Sequence, residues 1–250
     1  MTSTSRWAGG LAIAAAFVWS LWSTDASLQR LVEGVPFMLD FIRRMLPPDP
    51  SVLGQALHGA LQTVQIAIVG TIVAAVLAVP LALSAARNTA PRWVFYWVRS
   101  ALNVFRAIDT LVYALFFVAA VGLGPFPGVL AVIVYTATVL AKLFSEAIEA
   151  MDPGPVEAVQ AVGATRLQVL RWGVLPQLAP EFVSFTLYRF ETNIRAAAVL
   201  GFVGGGGIGF YIQTYLRLLN YPAASTVLMV LVVMVMLVDF TSSRLRSRLI

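Results

Sequence analysis

The chain of 250 residues is 59% hydrophobic and only 12% charged, with a net charge of +5 and a mean hydropathy of +0.84, a composition outside the range of soluble globular domains. The bilayer is its expected solvent. Cysteine is absent and histidine occurs once, at His58, which excludes a disulfide framework, a thiolate metal site and an imidazole cluster.

A hydrocarbon core about 30 Å thick needs roughly 20 apolar residues of helix. Six runs approach that length: 7–23, 61–86, 108–123, 127–148, 178–203 and 223–240. The first is expected to be a retained span. The alternative is a secretory signal peptide, because Arg6 precedes it and 24–26 offers small residues for cleavage. After it, Leu28, Leu31, Val32, Val35, Leu39, Ile42 and Leu46 recur at helical spacing with Arg30, Glu33, Asp40 and Arg43 between them. This predicts an interfacial helix on the outer surface, broken near Pro36; a brace for an incoming partner is the other reading. Pro80 should kink the inner end of the second span, and the third is short.

Orientation follows from the basic residues between spans. One set of segments holds Arg6, Arg87, Arg92, Arg99, Arg106, Lys142, Arg166, Arg171, Arg244, Arg246 and Arg248; the opposite set holds Arg30, Arg43, Arg44 and Arg217. The excess predicts that both termini are cytoplasmic. Residues 1–250 read as one membrane domain, all-α and polytopic, with six transmembrane helices.

No P-loop is present, and the sole lysine lies in Leu140-Ala141-Lys142-Leu143, inside a helical pattern. No nucleophile with its base and no paired carboxylates suggest catalysis. Energy for transport must therefore come from another chain, and 152–176 is the segment to receive it. Asp152-Pro153-Gly154-Pro155 supplies a helix start, a short helix should stop before Gly163, and Thr165 should cap a second helix over 166–172, ended by Gly173 and Leu175-Pro176. The charge count places this helical hairpin in the cytoplasm between spans four and five.

Glu157-Ala158, then Gly163, then Leu175-Pro176 resembles the EAA loop of ABC-importer permeases, with Val159 and Gly173 as departures. In that family the loop docks on a separate ATPase subunit. Three further stretches narrow the resemblance to phosphonate permeases and extend it from about residue 60 to the end: Phe105-Arg106-Ala107-Ile108; Glu149-Ala150-Met151-Asp152-Pro153-Gly154-Pro155-Val156-Glu157; and Tyr188-Arg189-Phe190-Glu191-Thr192-Asn193-Ile194-Arg195 followed by Gly201 to Gly209. Asp109 stands where these permeases usually have proline, and Gly205 where alanine is usual; Asp109 is nevertheless a good helix cap. The resemblance implies a type I ABC-importer permease fold and a two-fold dimer with a second permease copy. It also implies two ATPase subunits that hold ATP and Mg, a periplasmic or lipid-anchored binding protein, and alternating access. No cofactor is expected on this chain, and no nucleic acid.

Arg189, Glu191 and Arg195 fall near the middle of the fifth span, where ionisable groups are costly unless paired or hydrated. Glu191 and Arg195 are one turn apart and suited to pairing. Arg189 is left as a spare charge; with Asn193 and Arg195 it is the candidate lining of a path for an oxyanion, since guanidinium donors match phosphate-like oxygens. A purely structural ion-pair network is the competing reading. Six of the nine residues 201–209 are glycine, which argues against regular helix there; Gly204, Gly205, Gly206, Gly207 and Gly209 are expected to form a hinge or gate at the outer mouth, facing protein or water rather than lipid. The rival is a plain turn permitting close helix packing. His58 should lie at the outer end of span two, Asp239 should pair with Arg244 or Arg246, and Met229, Met234 and Met236 should be packing residues. The basic tail should be held by anionic lipid.

These features together predict the membrane subunit of an ATP-driven importer for phosphonate or a related phosphorus oxyanion. Phosphite, phosphate or another small anion is the alternative cargo within the class. A gradient-driven secondary transporter is disfavoured by the EAA-like loop, and an intramembrane enzyme by the lack of a nucleophile.

Overall fold

The structure is a computed structural model describing residues 3–24 and 27–246. The expected cleavage site at 24–26 and the end of the basic tail, 247–250, lie partly or wholly outside the described residues. The described residues are mostly helical and include no strand, and the chain falls into two compact units, Met1–Leu46 and Pro47–Ile250.

The first unit holds α1 (Ser3–Ser23) and α2 (Leu28–Arg44). The expected first span, 7–23, falls within α1; its apolar part Ala12–Ser23 is described, and side chains before that lie partly outside the described residues. Ser27 caps α2 through the Arg30 N–H, and Asp40 and Arg44 pair at 2.8 Å. The expected break at Pro36 does not occur. The helix runs through it, because every residue of α2 is at least partly exposed and a carbonyl released by the proline need not remain unsolvated.

The second unit contains a short 3₁₀ turn (Pro50–Val52), then α3 (Leu53–Ala85), α4 (Arg92–Ala107), α5 (Thr110–Val121) and α6 (Pro125–Ala150). These are followed by α7 (Pro153–Ala161), α8 (Arg166–Val169), α9 (Leu175–Leu200), α10 (Ile208–Arg217) and α11 (Tyr221–Arg246). α3 faces the bundle with small residues at helical spacing, among them Ala56, Ala60, Thr63, Ala67, Thr71, Ala74, Ala78 and Ala82, and turns Ile68, Ile72 and Val76 outward. In a lipid solvent, apolar bulk gains nothing by being inside, so small residues that let backbones approach decide which face is buried. α6 fits that face closely enough that a Cβ on Gly70 would stand 2.5 Å from Val132 Cγ1. At one end of the pair, Phe144 of α6 stacks on Phe182 of α9 at 3.9 Å.

Four segments of the described residues are long and apolar enough to cross a membrane: Pro50–Ala85, Pro125–Ala150, Leu167–Arg217 and Tyr221–Leu245. The expected third span is instead half of a bent pair, α4 and α5, which meet at 84°. Asp109 makes that corner, its Oδ1 accepting the Leu111 N–H at 2.8 Å as the cap of α5. The described helices thus offer four crossings, or five with the bent pair, against the six expected. α3 continues through Pro80 to Ala85.

Candidate functional site

Asp152 ends the extended residue after α6 and caps α7, its Oδ1 accepting the Gly154 N–H at 2.9 Å, with Pro153 in the first turn where it forfeits no hydrogen bond. Gly163, at φ +76°, closes α7. Thr165 then opens α8, with its N–H and hydroxyl both donating to Gln168 Oε1 at 2.8 and 2.9 Å. The second short helix was expected to stop at Gly173 and Leu175-Pro176. It instead widens into a π turn, Leu170–Val174, and runs directly into α9. Pro176 is tolerated because it occupies the first turn of α9. Gly173 serves contact rather than termination: a Cβ there would lie 3.1 Å from Val156 Cα, so α7 rests on the π turn. Gln177 completes the joint, its Nε2 donating to Gly173 O at 2.8 Å and Asp152 O at 3.2 Å.

Glu157, Ala158, Gly163, Leu175 and Pro176 are all exposed. Around them stand Val162, Leu167 and Trp172, also exposed. Glu157, Ala158, Val162 and Gly163 precede the crossing segment Leu167–Arg217, and Leu167, Trp172, Leu175 and Pro176 lie at its beginning; an exposed apolar patch of this kind marks an interaction surface.

The polar and charged residues 189–195 of α9 divide between two faces. Asn193 is only 1% exposed and ties three helices: Thr136 of α6 donates to its Oδ1 at 3.0 Å, and its Nδ2 donates to Thr71 of α3 at 2.8 Å. Arg189, one turn earlier, donates from Nη2 to the same Oδ1 at 3.2 Å and lies over the Tyr135 ring at 5.3 Å. Its Nε is buried with no hydrogen-bond partner, and no carboxylate among the described residues pairs with it. Glu191 and Arg195 each follow Arg189 and Asn193 by two residues, about 200° around the helix. They pair at 2.8 Å, and Arg195 reaches Asp239 of α11 at 2.9 Å. Asp239 was expected to pair with Arg244 or Arg246; Arg195 takes it because α9 packs against α11, a contact no sequence spacing reveals. The structure therefore brings Arg189 and Asn193 together and sets Glu191 and Arg195 in a separate network.

At the far end of α9 the chain passes through a 3₁₀ turn, Gly201–Val203, and then the glycines. Gly204, Gly205, Gly206, Gly207 and Gly209 are all buried. Gly206 and Gly207 adopt φ +74° and +77°, which glycine enters without strain. A Cβ on Gly209 would lie 1.9 Å from Ala198 O. α3 supplies the caps of α10: Gly207 N–H donates to Gln62 Oε1 at 2.7 Å and Ile208 N–H to Thr63 Oγ1 at 2.8 Å. Beside the turn is a cavity of about 320 Å³ bordered by Gln62, Leu123, Pro125 and Tyr211.

Sequence reading missed a clasp at the end of α6 that precedes the turn capped by Asp152. Glu149 Oε1 accepts the Arg87 N–H and pairs with Arg99, each at 2.9 Å, while Lys142 pairs with Glu146 at 3.2 Å. Asn88 Nδ2 donates to Ile148 O at 2.8 Å. The only advance signal was an acid-rich end of α6 facing an arginine-rich α4, at sequence separations too long to pair by rule.

Comparison with known proteins follows this geometry. The chain is 41% identical over 230 residues to the phosphite transport system permease protein PtxC of Stutzerimonas stutzeri, covering 92% of this chain and 83% of that protein. It is 40% identical over 220 residues to the phosphate-import permease protein PhnE of Mycolicibacterium smegmatis, covering 86% of this chain but 41% of that longer relative. An inward-facing structure of the MetNI methionine ABC transporter superposes with a TM-score of 0.70 at 25% identity, over 81% of this chain and 99% of that one. Residues 78–249 match the family described as binding-protein-dependent transport system inner membrane component. The chain belongs to that family of inner-membrane transport components.

Proposed function

We propose that this chain is the permease subunit of an ABC importer that moves phosphonate, or a related phosphorus oxyanion such as phosphite or phosphate, across the inner membrane by alternating access. The observation that carries the reading is Arg189: a guanidinium on a membrane-spanning helix, uncompensated by any carboxylate among the described residues, with a buried Nε that lacks a partner. Such a group is costly in a bilayer unless it serves an aqueous path or an anion, and its donor geometry suits phosphorus-bound oxygens. The similarity to permeases named for phosphite and phosphate supports the same cargo class. Asn193 orients Arg189, while Glu191 and Arg195, on the α11 side of α9, hold that helix to α11 through Asp239 and stand apart from the path.

The chain carries no ATPase motif of its own, so ATP and Mg belong to partner ATPase subunits that receive α7 and α8. The exposed Glu157, Ala158 and Trp172 support that docking face. A second permease copy forms the other half of the path, and a periplasmic or lipid-anchored binding protein delivers cargo to the outer side, beside the glycine turn 204–209. Both termini are cytoplasmic in this arrangement, on the strength of the arginine distribution.

The test is ATP hydrolysis and uptake in proteoliposomes containing this chain, its ATPase subunit and its binding protein loaded with phosphonates, phosphite or phosphate. Stimulation by one loaded form identifies the cargo. An assembled complex stimulated by none of them refutes the phosphorus-oxyanion assignment.

A further inference from the structure

The turn between α3 and α4 carries positive charge that the fold does not neutralise. Arg87, Arg92, Phe95 and Tyr96 line an open pocket of about 250 Å³. Both arginines are exposed, and no carboxylate among the described residues pairs with either guanidinium. Arg99, further along α4, is by contrast engaged by Glu149 and Glu146 at 2.9 and 3.9 Å. Arg87 lies over the Phe95 ring at 5.3 Å; stacking occupies the face of a guanidinium and leaves its in-plane donors available to an anion.

The pocket's position restricts which anion it meets. It follows directly on Ala85, the last residue of a membrane crossing, so it lies at a bilayer surface. The adjoining helix is built for that surface: Trp93, Tyr96 and Trp97 of α4 are 71%, 61% and 75% exposed, and the 84° bend turns α4 away from the direction of α5. Exposed tryptophan and tyrosine beside arginine mark the headgroup level of a bilayer.

We propose that this pocket binds the phosphate of an anionic phospholipid, with Arg87 and Arg92 as its ligands and Trp93 and Trp97 seated at the boundary between headgroup and acyl chains. Two guanidiniums give the phosphate charge-assisted hydrogen bonds, and a headgroup lacking its own cation leaves that charge unshared. The site has a mechanical neighbour: the Arg87 N–H is held by Glu149, three residues before the cap of α7, so lipid and coupling turn act on one corner of the bundle.

Native mass spectrometry of the full chain in detergent, titrated with phosphatidylglycerol or with phosphatidylcholine of the same acyl chains, tests the proposal. Phosphatidylglycerol should be retained roughly tenfold more tightly. Arg87→Gln/Arg92→Gln should abolish that preference, whereas Arg43→Gln/Arg44→Gln on α2, with the same two charges lost, should keep it; Arg92→Gln alone, on the exposed first turn of α4, serves if the double variant fails to fold, with Arg43→Gln as its control. A preference that survives in the folded variant overturns the proposal. So does displacement of the lipid by millimolar inorganic phosphate, which would assign the pocket to the free ion.

Discussion

Replacing Asn193 by aspartate separates a structural Arg189 from one that handles cargo. The substitution preserves size and, by geometry, hydrogen bonding: Thr136 and Arg189 already donate to Oδ1 at 3.0 and 3.2 Å, and the Thr71 hydroxyl, now an acceptor from Nδ2 at 2.8 Å, rotates to become a donor. What changes is charge. A carboxylate about 4 Å from the guanidinium attracts it by roughly 4 kcal/mol at an effective dielectric of about 20, which offsets the several kcal/mol cost of burying the new charge, so the variant should unfold close to wild type. An oxyanion held by Arg189 would stand about 6 Å from the new carboxylate and be repelled by about 3 kcal/mol on the same scale, roughly a hundredfold in occupancy. We expect uptake in proteoliposomes to fall by about that factor with thermal stability and assembly intact, and Arg189→Met to abolish uptake outright. Wild-type uptake by a folded Asn193→Asp protein would refute the argument and leave Arg189 a packing residue.

Gly209→Ala should be poorly folded, because its Cβ would sit 1.9 Å from Ala198 O; a backbone shift of that size costs about 3 kcal/mol or more and is read as early unfolding in detergent. Gly173→Ala meets Val156 Cα at 3.1 Å, a milder conflict that should leave the fold intact but shift α7, lowering uptake per ATP hydrolysed; an unchanged ratio would show that the joint tolerates slack. Glu149→Gln should lose about 1–2 kcal/mol, a figure reduced because both partners are about a fifth exposed. A double-mutant cycle with Arg99→Gln should show the two losses to be non-additive.

The spans at α3, α6, α9 and α11 were legible because hydropathy over about 20 residues is a strong signal in a chain whose solvent is lipid. The α4–α5 corner was not: α4 alternates arginine with tryptophan and tyrosine, so its mean hydropathy conceals a helix that hydropathy alone cannot detect. The pairing of Glu191 with Arg195 follows from helical spacing. Asp239 and Glu149 find their partners 44 and 50 residues away, through packing that no local pattern encodes. The glycine run was read as irregular and facing protein or water, and it is a buried turn held by Gln62 and Thr63. Composition predicts where helix stops; only the neighbouring helix decides whether the interruption is loose.

The absence of a loop between the π turn and α9 gives that helix unequal arms. From Leu175 to Asn193, where α3 and α6 grip it, is 18 residues, about 27 Å of helix; from Asn193 to Leu200 is seven residues, about 10 Å. With the grip as fulcrum, a tilt that carries the Leu175 end by about 5 Å would carry the glycine end by about 2 Å in the opposite direction. A large stroke at the Leu175 end thus becomes a short, forceful one at the other, and the two ends cannot move the same way at once.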